Sequence, residues 1–163
     1  MNKTKKITTI GILIALYVVL AMTMKIPLLA GTHLQTDLGY IVFGVGAVIL
    51  GPISFLIGTI GCLFESLIFS GWIPFGWMLG QVLIGIMTGY ACLKIKNNFV
   101  REGIGIVAVF LGVACIKTGV ECTLYGIPLA VKFAKNFVAF MADSIPFVIG
   151  IFLGDKVKPI VEK

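Results

Sequence analysis

Long apolar runs, separated by short segments with glycine, proline or charge, fill most of this 163-residue chain. The first runs from Ile7 to Met24 without a charged residue, and a helix of about 20 such residues crosses a bilayer. Hydrophobic residues make up 59% of the chain and charged residues only 12%, too few to cover a surface in water. This composition excludes a disordered chain and a disulfide-stabilised secreted domain, and it argues against a soluble globular enzyme. We predict an all-α membrane protein with one membrane-embedded domain, residues 1–163.

The apolar runs predict a bundle of six transmembrane helices. The predicted spans are residues 7–24, 38–50, 53–70, 75–93, 104–121 and 136–154. Gly51-Pro52 separates the second span from the third, because proline lacks the amide donor that a continuing helix uses. We predict a charged loop at 94–103 and a longer, partly apolar connection at 122–135. The first run exceeds the core of a signal peptide and has no small-residue cleavage site before Lys25, so it is predicted to be a span.

Lysine and arginine are distributed unequally between the two sides of the predicted bundle. Nine of the thirteen cations fall on the side of the termini and three on the other side, with Lys117 inside the fifth span. The excess of cations on cytoplasmic segments places both termini in the cytoplasm. The net charge of +6 therefore reflects membrane topology, and we predict the lipid bilayer and no nucleic acid as a partner.

Polar side chains within the spans gather in the predicted outer half of the membrane. A charge in the bilayer costs about 2.5–3.5 kcal/mol on insertion scales and usually faces a cavity or a partner. A channel or proton relay needs polar groups through the full depth, whereas groups at one depth favour a pocket open to the outside. Glu65 belongs to this set. The candidate substrate-binding residues are Gln35, Asp37, Trp72, Gln81, Lys117, Glu121, Asn136 and Asp143.

Several of these residues have a plainer explanation. Lys117 and Glu121 lie four residues apart and could neutralise each other on one helix face. Glu65 could extend to the interface, and Asp143 could form a hydrogen bond at a helix kink. If Lys117 and Asp143 line a pocket instead, the ammonium would meet a carboxylate, phosphate or ring carbonyl, and the carboxylate would meet a ring amine.

Aromatic residues cluster at the predicted outer end of the fourth span, at Trp72, Phe75 and Trp77. They fit either an interfacial aromatic belt or a wall on which a planar ring stacks. The cysteines form no CxxC pair and the chain has one histidine, so neither a metal site nor a cofactor is predicted. The sequence also lacks a phosphate-binding GxxxxGK[ST] loop and the HExxH and GxSxG motifs.

Short glycine and proline motifs resemble those of a transporter family over nearly the whole chain. They are TDLGY at 36–40, LGPI at 50–53, GTIG at 58–61, GWIP at 71–74 and GIMTGY at 85–90. The pattern resembles the S components, or substrate-binding subunits, of energy-coupling factor (ECF) transporters, which import vitamins. Within that family it looks like the riboflavin-type branch.

The resemblance implies a subunit without enzymatic activity in the plasma membrane of a bacterium or archaeon. Such subunits capture a vitamin from outside and pair with an ECF membrane coupling protein and two ATPase subunits. The family contacts its coupling protein through an Ala-xxx-Ala motif in the first helix, and the matching residues here are Gly11 and Ala15. Riboflavin, a pyrimidine or thiamin precursor, a pteridine and a queuosine precursor all remain open as substrates.

Two other functional classes stay open at this point. A self-sufficient ion- or proton-coupled carrier would use Glu65 or Asp143, but inverted repeats typical of many carriers are not evident between residues 1–80 and 81–163. A membrane enzyme would need acidic residues or histidines clustered for metal or acid–base chemistry. The scattered carboxylates and single histidine make this class the least favoured.

Overall fold

The structure is a computed structural model that describes residues 2–23, 25–27 and 35–161. It is a bundle of helices with one short ribbon of two antiparallel strands. A 3₁₀ turn, Gly51–Ser54, joins the second and third helices, and a π-helix, Phe110–Lys117, joins the fifth and sixth into one continuous rod. The elements are α1 Lys3–Thr23, β1 Lys25–Pro27, β2 Gln35–Asp37, α2 Gly39–Leu50, α3 Phe55–Phe69, α4 Phe75–Lys94, α5 Asn98–Val109, α6 Thr118–Tyr125 and α7 Leu129–Val161.

Within the described residues, five helical stretches are long and apolar enough to cross a membrane. They are Lys3–Thr23, Gly39–Phe69, Phe75–Lys94, Asn98–Tyr125 and Leu129–Val161. The predicted class, an all-α membrane bundle, is confirmed apart from the short ribbon. The second stretch covers two of the predicted spans, because it contains α2, the 3₁₀ turn and α3.

The chain reverses direction between α2 and α3. Gly51 adopts a φ of 66°, a left-handed conformation that a side chain disfavours. On either side of this turn, Gly58 faces the ring of Phe43, and Gly46 faces the side chain of Ile57. Residues at similar distances before and after the turn are thus in contact, so α2 and α3 are antiparallel. The turn lies at the predicted Gly51-Pro52 break.

Helix α4 crosses close to this turn because two of its glycines leave room. A Cβ at Gly85 would collide with the backbone of Phe55, and one at Gly89 with the backbone of Gly51. The Ser54 hydroxyl donates a hydrogen bond of 3.3 Å to the Gly85 carbonyl oxygen. The GIMTGY motif therefore has a packing role, since glycines four residues apart let helices approach closely.

The most extensive helix contact joins α2 to α7. Gly44 lies against the backbone of α7 around Gly150, and Gly154 lies against Val48. Gly44 and Gly150 are separated by the same number of residues as Val48 and Gly154. The two helices therefore run parallel in one fixed register. Edge-to-face contacts between Phe43 and Phe147, with ring centroids 5.4 Å apart, fill the space beside the glycines.

Two connecting segments differ from the predictions. The connection predicted at 122–135 is wrong, because only residues 126–128 lie outside helices. Gly126 has a φ of 64° and ends α6 in a left-handed conformation, and α7 begins at Leu129. The charged loop predicted at 94–103 is also wrong in extent, since the Asn97 side chain caps α5, which begins at Asn98.

Replacing Gly150 with alanine should destabilise the bundle. The added methyl group would collide with the Ile41 carbonyl, and overpacking of this kind costs about 1–3 kcal/mol. We expect a lower apparent Tm in detergent, measured by the loss of the folded peak in size-exclusion chromatography after heating. Gly103→Ala is the matched control, because nothing lies within 4 Å of a Cβ at that position. Equal apparent Tm values for the two variants would contradict the close α2–α7 contact.

Candidate ligand-binding site

Asp37, the last residue of β2, connects three elements at one end of the bundle. Its Oδ1 accepts a hydrogen bond of 2.7 Å from the Gly39 amide, and its Oδ2 accepts one of 2.9 Å from the Tyr17 hydroxyl of α1. Its own amide donates to Asp143 Oδ1 of α7 over 3.3 Å. The ribbon is therefore fixed to α1, to the start of α2 and to α7 by polar contacts of one residue.

Next to Asp37 lies a cavity of about 220 Å³, which we call the Asp143 cavity. Three of its lining side chains are carboxylic acids, on β2, α3 and α7, and aromatic rings form other parts of its wall. Carboxylates accept hydrogen bonds from ligand N–H and O–H groups, while aromatic rings stack on planar groups. The lining residues are Tyr17, Thr36, Asp37, Cys62, Glu65, Ser66, Phe69, Trp77, Ala139 and Asp143.

A second cavity of about 230 Å³, which we call the Lys117 groove, lies beside the first. Ser66 and Trp77 line both cavities. Lys117 is buried, and its Nζ lies 3.6 Å from the centroid of the Trp77 ring, in the geometry of a cation–π contact. The lining residues are Ser66, Trp72, Pro74, Phe75, Gly76, Trp77, Lys117, Glu121, Tyr125, Lys132, Lys135 and Asn136.

Glu121 is held by residues other than Lys117. Its Oε2 lies 3.1 Å from Lys132 Nζ and accepts a hydrogen bond of 3.2 Å from Asn136 Nδ2. The same Asn136 amide group donates to Thr118 Oγ1 over 2.9 Å. Glu121 therefore pairs directly across the α6–α7 turn, and its interaction with Lys117 is electrostatic without a direct ion pair.

The remaining candidates lie in different surroundings. Gln81 is fully buried, donates a hydrogen bond of 2.7 Å to the Tyr40 hydroxyl and does not line either cavity. Trp72 is half-exposed, lines the Lys117 groove and packs against Tyr125, with ring centroids 5.7 Å apart. Gln35 belongs to β2, but its side chain lies outside the described part of the chain.

The structure thus gathers most of the candidate residues around two adjacent cavities. Asp37 and Asp143 line the first, and four others line the second: Trp72, Lys117, Glu121 and Asn136. Glu65, predicted to be in the outer membrane half, lines the Asp143 cavity. The roles of all eight candidates as ligand contacts remain predictions. Gln81 joins α4 to α2 through its hydrogen bond to Tyr40.

Sequence reasoning missed two residues that shape the site. Tyr17 is the only tyrosine of the first apolar run, and a buried hydroxyl needs a hydrogen-bond partner, which was the available signal. Trp77 was recognised only as one of three clustered aromatic residues, because a single sequence does not reveal which ring of such a cluster faces inward. The π-helix that ends at Lys117 had no signal in the sequence.

A bundle of apolar helices of membrane-spanning length, with adjoining polar and aromatic cavities at one end, is typical of a membrane protein that binds a small molecule. Within the described residues, no group of three or more histidines, cysteines or carboxylates is placed to hold a metal ion. Residues 1–154 match the sequence model of the family "ECF-type riboflavin transporter, S component". The chain belongs to this family of transporter substrate-binding subunits, as the motifs predicted, and its members are not classed as enzymes.

The chain is also similar to UPF0397 proteins. It is 28% identical over 160 residues to one from Streptococcus agalactiae, covering 91% of this chain and 87% of that protein. It is 25% identical over 162 residues to one from Phytoplasma australiense, covering 93% of this chain and 83% of that protein. Among solved structures, a crystal structure of the S component for biotin from an ECF-type ABC transporter matches with a TM-score of 0.64. That match covers 98% of this chain and 95% of the other at 17% identity, so it shows the fold alone.

Replacing Tyr17 with phenylalanine should loosen the ribbon. The change removes the hydroxyl that donates to Asp37, and a hydrogen bond to a charged group contributes about 1.5–3 kcal/mol. We expect faster hydrogen–deuterium exchange in peptides that contain residues 35–39. Tyr90→Phe is the control, because Tyr90 is 56% exposed. Unchanged exchange in Tyr17→Phe would show that Asp37 does not depend on this contact.

Proposed function

We propose that this chain is the membrane subunit that captures a vitamin or vitamin precursor from outside the cell for ATP-driven uptake. The observation that carries the proposal is the Asp143 cavity, a polar and aromatic pocket at one end of an apolar bundle. Membership of the S-component family supports a transporter function for that pocket. The ligand is placed in this cavity with its planar part against Trp77 and with N–H or O–H groups directed to Asp143.

We further propose six spans, with both termini in the cytoplasm and the cavities on the outside. The parallel register of α2 and α7 supports this number. With α2 and α3 as two spans, α2 and α7 cross the membrane in the same direction, whereas a single span over Gly39–Phe69 would give them opposite directions. The distribution of lysines and arginines supports the orientation.

The proposed partners are an ECF membrane coupling protein and two ATPase subunits. The absence of a phosphate-binding loop from the sequence is consistent with ATP hydrolysis in other chains. Gly11 and Ala15 lie on the exposed side of α1, where nothing comes within 4 Å of a Cβ at Gly11. Ile12 and Leu16 are exposed beside them. This small-residue face suits close contact with a helix of the coupling protein.

The function is tested by ligand binding to the purified full chain. Small molecules that copurify are identified by mass spectrometry, and the water-soluble vitamins and their precursors are screened by equilibrium dialysis. We expect one of them to bind, and Asp143→Asn to weaken its binding at least about tenfold, since a charged hydrogen bond is lost. Glu102→Gln, on α5, is the charge-matched control and should bind as the unsubstituted chain does. A complete screen without a bound vitamin would contradict the proposal.

The two tryptophans give a second, independent prediction. Trp77 lines both cavities, whereas Trp72 lines only the Lys117 groove and is half-exposed. Stacking of a planar ligand on Trp77 predicts that Trp77→Leu lowers affinity more than Trp72→Leu. Quenching of tryptophan fluorescence by the ligand should persist in Trp72→Leu and be lost in Trp77→Leu. Equal affinities and equal quenching in the two variants would argue against a ring on Trp77.

The proposed topology is tested by reporter fusions after Lys163. Six spans with a cytoplasmic N-terminus place this end in the cytoplasm, so a green fluorescent protein fused there should fluoresce and an alkaline phosphatase should be inactive. Alkaline phosphatase fused within residues 126–128 should be active, because that turn is proposed to lie outside. Active phosphatase after Lys163 would favour five spans.

A further inference from the structure

Lys117 is a buried cation that contacts no carboxylate of the described residues directly, and Glu121 and Asp143 act on it only from beyond salt-bridge distance. It is only 6% exposed, and its Nζ rests over the face of the Trp77 ring. Among the described residues it forms no ion pair, because the carboxylate nearest in sequence, Glu121, pairs with Lys132. Burying an ammonium group without an opposite charge is unfavourable. A contact with one aromatic face only partly offsets this cost.

The charges around Lys117 favour an anion in the groove. The described lining of the Lys117 groove contains three lysines and one carboxylate, with Lys132 and Lys135 beside Lys117. On the other side of Trp77, the charged groups among the described lining residues of the Asp143 cavity are all carboxylates. Trp77 therefore lies between a lining that contains three lysines and one that contains three carboxylic acids, in two cavities that adjoin.

From this arrangement we infer that the transported ligand carries an anionic group, a carboxylate or a phosphate, that binds Lys117 while its ring lies in the Asp143 cavity. The inference rests on the proposed function and narrows its substrate class to acidic vitamins or phosphorylated precursors. The anion supplies a counter-ion in direct contact with Lys117, through a charge-assisted hydrogen bond. Lys132 and Lys135 add attraction for the same group at the mouth of the groove.

Matched pairs of ligands test the inference on the full chain in lipid nanodiscs. The pairs are riboflavin and riboflavin 5′-phosphate, thiamin and thiamin monophosphate, and biotin amide and biotin. Each pair shares its ring system, and only the second member of each carries the added anion. In the pair whose ring is recognised, we expect the anionic member to bind at least about tenfold more tightly, as for one charge-assisted hydrogen bond. The first two pairs test phosphate and the third tests carboxylate.

Substitution of Lys117 separates a charge contact from a packing role. Lys117→Met removes the charge and keeps an unbranched side chain, so the preference for the anionic member should disappear. The member without the added anion should bind within about twofold of its original affinity. Lys117→Arg should retain the preference. Lys96→Met, in the loop between α4 and α5, is the control for net charge and should leave the preference unchanged.

Each outcome decides the inference. Equal binding of both members of a recognised pair overturns it, and so does an equal loss of both members in Lys117→Met, which would mark a structural role. If Lys117→Met does not fold, the inference is decided by the ratio of the two affinities within the recognised pair. That ratio is measured on the unsubstituted chain and on Lys117→Arg. If neither member of any pair binds and the full vitamin screen is also empty, the proposed function itself fails. A vitamin without a carboxylate or phosphate found in that screen would leave the proposed function standing and overturn only the inference.

Discussion

The parallel contact between α2 and α7 determines where the polar site forms. Gly44 and Gly150 let the two backbones meet without intervening side chains, which fixes one helix against the other in rotation and in height. Asp37 and Asp143 each lie seven residues before these glycines, about two helical turns towards the same end of the bundle. The hydrogen bond between the Asp37 amide and Asp143 therefore depends on the same helix register as the glycine contact. A change in this register would separate the two residues that anchor the ribbon.

Much of the fold follows from hydrophobic runs, because a helix is the simple way to satisfy the backbone inside a bilayer. The break at Gly51-Pro52 was predictable for the same local reason, since both residues disfavour a continuing helix. The extent of α7 was not, because residues 122–135 were predicted to be a partly apolar connection, whereas the structure continues the helix through Lys132 and Lys135. Charged residues in a sequence indicate which segments lie near water. They do not indicate where a helix ends, because a helix can continue past the apolar layer of the membrane.

The residue types that line the two cavities were predictable from the sequence, but their hydrogen-bond and ion-pair partners were not. Glu65, Lys117 and Asp143 were predicted to lie at one depth from their distances to the span ends, and they line two adjoining cavities. Which partner each residue has depends on the angles between helices, and a sequence does not give these angles. The π-helix illustrates the point: Phe110–Lys117 alters the angular spacing of side chains along the rod. Lys117 faces Trp77 at its end, while Glu121, one turn later, faces α7.

Helix α2 has only twelve residues, about 18 Å at the rise of an α-helix, well short of the roughly 30 Å hydrocarbon layer. Ten of these residues are buried, so the helix is enclosed by its neighbours and has little contact with lipid. The irregular backbone at both of its ends can therefore exist at membrane depth, where hydrocarbon would leave amides and carbonyls unsatisfied. The surrounding helices, and not lipid, contact α2 and its two ends. A strand ribbon and a tight turn can therefore lie inside the thickness of the membrane.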